Sequence, residues 1–225
     1  MIKGRILLAG GYTMKKRVVV ALGHRALGTT LPEQLEAVKK SAKVIADLIQ
    51  DGYQVAITHS NAPQVGMIHT ALNEFAKQHE DYTAAPMCIC SAMSQGYIGY
   101  DLQNALREEL LDRGIQKDCA TMLTQVEVSP DDPAFKNPTK PIGSFMTKEE
   151  ADELVREKGY KVIEDSGRGY RRVVASPKPV SIVEIDTIKA LVESNHVVIA
   201  CGGGGIPVFK TGGHHLKGAA AVIDK

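Results

Sequence analysis

Val197-Val-Ile-Ala-Cys-Gly-Gly-Gly-Gly-Ile-Pro207 is the stretch that decides the fold of this chain. Its first four residues are apolar and mostly β-branched, the composition of a strand buried on both faces. Four glycines follow at once, so a buried strand feeds directly into a loop of maximal backbone freedom. Ordering that much freedom is costly unless the loop has a use. Glycine lets backbone N–H groups approach an anion closely, and a following helix N-terminus adds a favourable dipole. The structural alternative is a tight turn packed under a helix.

Two earlier switches repeat the arrangement. Arg17–Leu22 runs into Leu22-Gly-His-Arg-Ala-Leu-Gly28, and Tyr53–Thr58 runs into His59-Ser-Asn-Ala-Pro-Gln-Val-Gly66. Between them, Leu35, Val38, Ala42, Ile45, Leu48 and Ile49 recur at helical spacing, and Asp51-Gly52 stops that helix. Further helices are expected over 64–77, 95–113 and 182–194, with strand-like segments at 119–128 and 197–200. Cys88–Met93 is read as an apolar lead-in to the second of these helices. Alternating strands and helices predict an α/β fold: a three-layer αβα sandwich on a mainly parallel open sheet. In such sheets ligands sit at the carboxyl ends of the strands, where all three loops fall.

Residues 129–179 break the pattern. Pro130-Asp-Asp-Pro133, Asn137-Pro-Thr-Lys-Pro-Ile-Gly143 and Ser176-Pro-Lys-Pro179 are rich in proline and charge. Thr147 with Glu150 three residues later is a capping box and starts a helix over 147–158. The runs 159–164 and 171–175 read as a hairpin around Asp165-Ser-Gly-Arg-Gly169. This segment is expected to be a small protruding subdomain, with 14–128 and 180–225 forming the core. Residues 1–13 read as an extension, because Met14-Lys-Lys-Arg followed by Val18-Val-Val resembles a start.

Composition narrows the function. The 225 residues carry a net charge of +1, which gives no general attraction to nucleic acid or anionic membrane. A 44% hydrophobic content supports a packed core, while no apolar run is long enough to span a bilayer. Cys88, Cys90, Cys119 and Cys201 lack the paired spacing of a zinc site or a disulfide framework, so they read as reduced thiols and favour the cytoplasm. No Walker loop, dinucleotide fingerprint or zinc-type motif is present. His214-His215 has no carboxylate or third histidine beside it, and no metal site is expected. Gly167-Arg-Gly-Tyr-Arg-Arg172 could be an anion-binding tip, but a solvated hairpin is the simpler account at this net charge.

Lysine supplies a point charge for a transferring phosphoryl group. Lys140 stands between Pro138 and Pro141, which stiffen its backbone and leave the side chain free. That setting lifts it above an ordinary surface lysine. The loops and this lysine together predict a phosphoryl-transfer scaffold.

Long strings then match a known family. Leu123-Thr-Gln-Val-Glu-Val128, Asp132-Pro-Ala-Phe-Lys-Asn-Pro-Thr-Lys-Pro-Ile-Gly143, Gly167-Arg-Gly-Tyr-Arg-Arg-Val-Val174, Ser176-Pro-Lys-Pro179 and Cys201-Gly-Gly-Gly-Gly-Ile-Pro-Val208 resemble carbamate kinase, of the amino-acid kinase superfamily. The likeness runs from about Lys15 to Lys225. It implies an αβα sandwich, a homodimer, and reversible phosphoryl transfer between ATP and carbamate, with ATP/ADP and Mg2+ as cofactors. Carbamate or carbamoyl phosphate is the implied partner, with arginine, allantoin or purine breakdown as the setting. The subdomain strings argue against an acetylglutamate or glutamate kinase. By position, Lys140 and Lys225 match two lysines that approach the phosphoryl group. Gly23 and Asn61 match loop residues around it, and Gly203, Gly204 and Gly205 match the glycine loop near the carbamate.

The resemblance also exposes departures. The family reads Gly-Gly-Asn in the first loop and His-Gly-Asn-Gly in the second, where this chain has Gly23-His24-Arg25 and His59-Ser60-Asn61-Ala62. A Cβ at a left-handed glycine position costs about 1–2 kcal/mol. Losing one oriented donor to the transition state costs about 3 kcal/mol, or about a hundredfold in rate. Arg25 could hold phosphate in the ground state, which does not lower the barrier. In the family the chain continues past the Lys225 position into the half that carries most of the ATP site. These features lead to the expectation of impaired turnover, with a non-catalytic dimerising or metabolite-binding relative as the rival reading.

Overall fold

The computed structural model describes residues 16–224. Strands β1 (Arg17–Leu22), β2 (Gln54–His59), β3 (Cys119–Thr121) and β9 (Val197–Ile199) form one sheet in the order β1-β2-β9-β3, parallel throughout. Helices α1 (Leu31–Gln50) and α3 (Met87–Asp112) cover one face, where Ile45, Ile98, Leu102 and Leu106 pack on Ile57, Val197 and Ile199. Helix α5 (Ile185–Glu193) covers the other, with Val192 against Val198 and Ala200. Alternation along β9 thus sends Val197 and Ile199 one way and Val198 the other, so the strand is buried on both sides. Each fully buried aliphatic side chain in these layers contributes about 1.5–3 kcal/mol. The result is the mainly parallel αβα sandwich expected from the sequence.

A second sheet joins β11 (His215–Gly218), β10 (Ile206–Thr211), β4 (Gln125–Val128) and β8 (Pro179–Ile182) in that order, parallel only between β10 and β4. Residues expected as one strand over 119–128 therefore divide between two sheets. The divide falls at Met122–Thr124, where Thr124 is fully buried. Cys88–Met93 belongs to α3 and is helical, with Cys90 turned into an apolar cluster.

A third, antiparallel sheet of β5 (Lys140–Met146), β7 (Tyr170–Val174) and β6 (Val162–Glu164) carries helix α4 (Lys148–Lys158). The capping box forms as its sequence implies: Thr147 Oγ1 accepts from Glu150 N, and Glu150 Oε2 accepts from Thr147 N at 2.7 Å. Gly159, at φ 62, ends the helix in the left-handed conformation. The sequence pattern does not mark β5 as a strand, because Pro138 stands just before it and Pro141 inside it. It lies against helix α2 (Ala62–Gln78), with Ile142 and Val174 packed on Val65, Met87, Cys90 and Val222. The close approach is made by two glycines: a Cβ on Gly66 would lie 3.1 Å from the Cα of Gly143.

Candidate active site

Parallel register brings the loops together. Leu22 pairs with His59, and Ile57 with Ile199, so β1, β2 and β9 end at one edge of the sheet. The Ser60 amide donates to Leu22 O at 2.8 Å and ties the first loop to the second. There, Ser60, Asn61, Ala62, Lys140, Gly203 and Asp224 line a cavity of about 80 Å³, room for one phosphoryl-sized group.

The glycine loop is held in shape from behind. Cys201, Gly203, Gly204 and Gly205 have φ values of 53°, 64°, 84° and 103°. Gly203–Gly205 is backbone that glycine adopts freely, while Cys201 holds the left-handed region as a non-glycine residue. Gln95 of α3, buried, donates to Gly202 O at 2.9 Å and to Thr124 O at 3.2 Å, and accepts from Thr124 N at 2.8 Å. Thr58 Oγ1 donates to Cys201 O, and Cys201 N donates to Thr124 Oγ1. The space above the loop is filled: a Cβ on Gly202 would strike the His59 ring, and one on Gly203 would strike the Asn61 amide.

Within that loop the roles separate. Gly203 lines the cavity. The amides of Gly204 and Gly205 are spent inside the turn, on Cys201 O at 2.9 Å and Gly202 O at 3.1 Å. Gly204 packs under Ile223, and Gly205 against Val126. These two glycines shape the loop, and Gly203 faces the cavity.

Helix α2 points its N-terminus at the same place. Asn61 is its N-cap residue, yet its side chain makes no capping hydrogen bond, and its Nδ2 donates to Ser94 Oγ at 2.9 Å. Ser94 passes the bond on to Ser91 O at 2.7 Å. An uncapped helix N-terminus presents amide donors and the positive end of the dipole to whatever fills the cavity.

Lys140 enters from the opposite wall, on the first residue of β5, and forms an ion pair with Asp224. Asp224 is positioned by the short run before it, where Val222 N donates to Ala175 O at 3.0 Å and Ala221 bridges Ala175. Sequence reasoning passed over Asp224. The available signal was its place beside Lys225, in the terminal Asp-Lys pair. Lys225 itself, and the extension at residues 1–13, lie outside the described residues.

No residue of the first loop lines the Lys140 cavity. Gly23 has φ −74°, and among the described residues nothing lies within 4 Å of a Cβ placed on it, so this backbone does not require glycine. Residues 24–26 form a short helical turn, and Arg25 lines a different surface hollow with Glu33, Glu36 and Lys40. Neither His24 nor Arg25 lines the Lys140 cavity.

Burial makes the local thiols poor acids. The Cys201 thiol is pushed up to about 11, chiefly by desolvation with a smaller contribution from Glu184, and that of Cys119 to about 12 by desolvation. All four cysteines are unpaired, and no cluster of three metal-binding side chains occurs among the described residues. No helix of the described residues is long and apolar enough to cross a membrane.

Comparison with known proteins agrees with this architecture. Residues 16–211 match the amino acid kinase family. The chain is 60% identical over 212 residues to the carbamate kinase-like protein YqeA of Escherichia coli K12, covering 94% of this chain and 68% of that protein. It is 54% identical to a carbamate kinase of Staphylococcus epidermidis, covering 93% and 67%. A carbamate kinase from Giardia lamblia bound to citric acid superimposes with a TM-score of 0.85 at 40% identity, covering 94% of this chain and 69% of that one. The same Giardia enzyme bound to AMP-PNP gives a TM-score of 0.83 at 39% identity, with 94% and 68% covered. The chain thus spans about two thirds of the length of the relatives it matches. With this sheet, these loops and these relatives, the chain belongs to the carbamate kinases of the amino acid kinase family.

Proposed function

We propose that this protein is a carbamate kinase-type phosphotransferase that moves a phosphoryl group between ATP and carbamate. The observation that carries the reading is the convergence of Lys140, Gly203 and the uncapped α2 N-terminus on one phosphoryl-sized cavity. Phosphoryl transfer asks a protein for positioning and charge neutralisation rather than a covalent nucleophile. In the ATP-forming direction, an ADP β-phosphate oxygen attacks the phosphorus of carbamoyl phosphate. The bond from phosphorus to the carbamate oxygen breaks, and carbamate leaves with that electron pair.

Lys140 would neutralise the transferring group, the α2 amides would receive its oxygens, and Gly203 would let carbamate approach closely. Lys225 is proposed as a second cation from its match to the family lysine. The site's lining suits a nucleotide phosphate, as an Mg2+-ADP end would require, and Asp224 is the carboxylate such an ion would meet. When bound, the Mg2+-nucleotide supplies the phosphoryl acceptor. Residues 129–179 are proposed as the subdomain that delivers Lys140, since its third sheet is built separately from the core sheets. A homodimer working in the cytoplasm on a carbamoyl phosphate-yielding breakdown route completes the proposal.

One observation favours a second reading, a binding protein that has lost turnover. Ser60 and Ala62 line the cavity at positions where the family carries glycines. Their side chains occupy space at the phosphate, and the exposed Ala62 lies on the first turn of α2. ATP formation from carbamoyl phosphate and ADP separates the two. Turnover abolished by Lys140→Ala supports the enzyme. Binding of carbamoyl phosphate without turnover, lost in the same variant, supports the binding protein. Neither result in the folded chain overturns both.

A further inference from the structure

A separate cavity of about 200 Å³ lies between α2 and the layer formed by β5, α4 and β7. Only Ile142 is shared with the Lys140 cavity. Its polar wall is cationic. The Arg172 guanidinium carbon sits 3.5 Å from the centre of the Tyr160 ring, and its NH1 lies 3.5 Å from His69 Nε2. Lys158, from the end of α4, completes the wall.

Lys158 acts on the lining carboxylate Glu74 through space, without an ion pair. Among the described residues, neither Arg172 nor Lys158 takes part in an ion pair with a carboxylate. The one lining carboxylate, Glu74, is bonded to Lys77 at 2.7 Å. Arg172 is half-buried, and its desolvation draws its pKa below the ordinary value. A partly desolvated cation whose contacts are the Tyr160 ring and His69, with no carboxylate, carries a standing cost that an anion would relieve. The remaining walls are apolar, from Ile142, Met146 and Leu154. A bare inorganic ion would leave them unused.

We propose that this cavity binds a small organic carboxylate, with its head on Arg172 and Lys158 and a compact hydrocarbon body against Met146 and Leu154. The volume fits a body of benzene size, since cavities of about 150 Å³ accept benzene. His69 comes from α2, Lys158 from α4 and Arg172 from β7, so a bound anion cross-links the third sheet to α2. Gly66 and Gly143 form the close contact on which that layer rests. The proposal is independent of the phosphoryl site, and its test needs no turnover.

The test is a calorimetric titration of the full chain with benzoate, with inorganic phosphate as a second probe. Benzoate is expected to saturate one site and to slow amide hydrogen exchange in α4 and β7. Arg172→Gln should weaken it at least tenfold and Lys158→Gln severalfold, with Lys140→Met unchanged. Phosphate should bind this site more weakly than benzoate. The exposed Lys158 can be replaced without threatening the fold, so it decides the matter if Arg172→Gln does not fold. No saturable benzoate binding, an affinity unmoved by Lys158→Gln, a loss caused equally by Lys140→Met, or phosphate binding to the Lys140→Met variant as tightly as benzoate would each overturn the proposal.

Discussion

Lys140 Nζ donates to the carboxylate of Asp224, joining the first residue of β5 to the last described residue of the chain across the cavity mouth. The pair is partly open to water, so its own contribution to stability is small. Its consequence is electrostatic. Asp224 cancels much of the field that Lys140 would show an incoming anion. Asp224→Asn should therefore tighten the binding of inorganic phosphate at this site severalfold, and added salt should reduce the gain. Calorimetry in low and high salt checks both parts.

The loop departures should not contribute equally. Ser60 and Ala62 line the cavity, whereas His24 and Arg25 do not. Restoring Ser60→Gly with Ala62→Gly should give most of the available gain in ATP formation, up to about a hundredfold if about 3 kcal/mol of transition-state stabilisation is recovered. Restoring His24→Gly with Arg25→Asn should change the rate little. A larger gain from the first loop would show that it closes over the substrate in a way this arrangement does not hold.

The glycines divide in the same manner. Gly23→Ala meets open space at an ordinary φ and should be neutral in thermal unfolding. Gly203→Ala, at φ 64° and directed into the Asn61 amide, should cost about 1–2 kcal/mol in strain alone, plus the cost of moving Asn61. Chemical denaturation of the two variants makes the contrast measurable.

Much of this was legible in the sequence, for identifiable reasons. β9 announces itself because Val197–Ala200 is apolar at every position, as a strand covered on both faces must be. Thr147 and Glu150 mark a helix start through local bonds alone. The third sheet was only half visible, because β5 gains its identity from pairing with β7, and its prolines at 138 and 141 argue locally against a strand. Asp224 was missed because its role comes from Lys140, 84 residues away. Arg25 lines a hollow apart from Lys140, a placement that adjacency in sequence to Gly23 does not fix.

His69 makes stability depend on pH. Desolvation, then the charges of Arg172 and Lys158, lower its pKa from the ordinary 6.5. The unfolded chain thus binds the proton more readily, so stability is full above about pH 6.5 and falls as the pH drops below it. Arg172 faces it from β7, Lys158 from α4 and Tyr160 from the connection after α4, with Glu74 on its own helix. His69→Gln should flatten the acid limb of a pH series of unfolding midpoints near that range. An unchanged slope would place the acid sensitivity elsewhere.

The thiols titrate in the opposite sense. Cys119 is raised from its ordinary 9.0 to about 12, so its contribution to stability is complete below pH 9 and is lost as pH rises through about 12. Near pH 8, iodoacetamide should label the half-buried Cys88 well before Cys119 or Cys201 in the folded chain, as read by mass spectrometry.

The most direct test of the central claim is the affinity of the full chain for freshly prepared carbamoyl phosphate, compared with Lys140→Met. Phosphoryl recognition by Lys140, Gly203 and the α2 N-terminus predicts saturable binding that weakens at least tenfold in Lys140→Met and is unchanged in Arg172→Gln. Equal affinity in the wild type and Lys140→Met, with both folded, would contradict it.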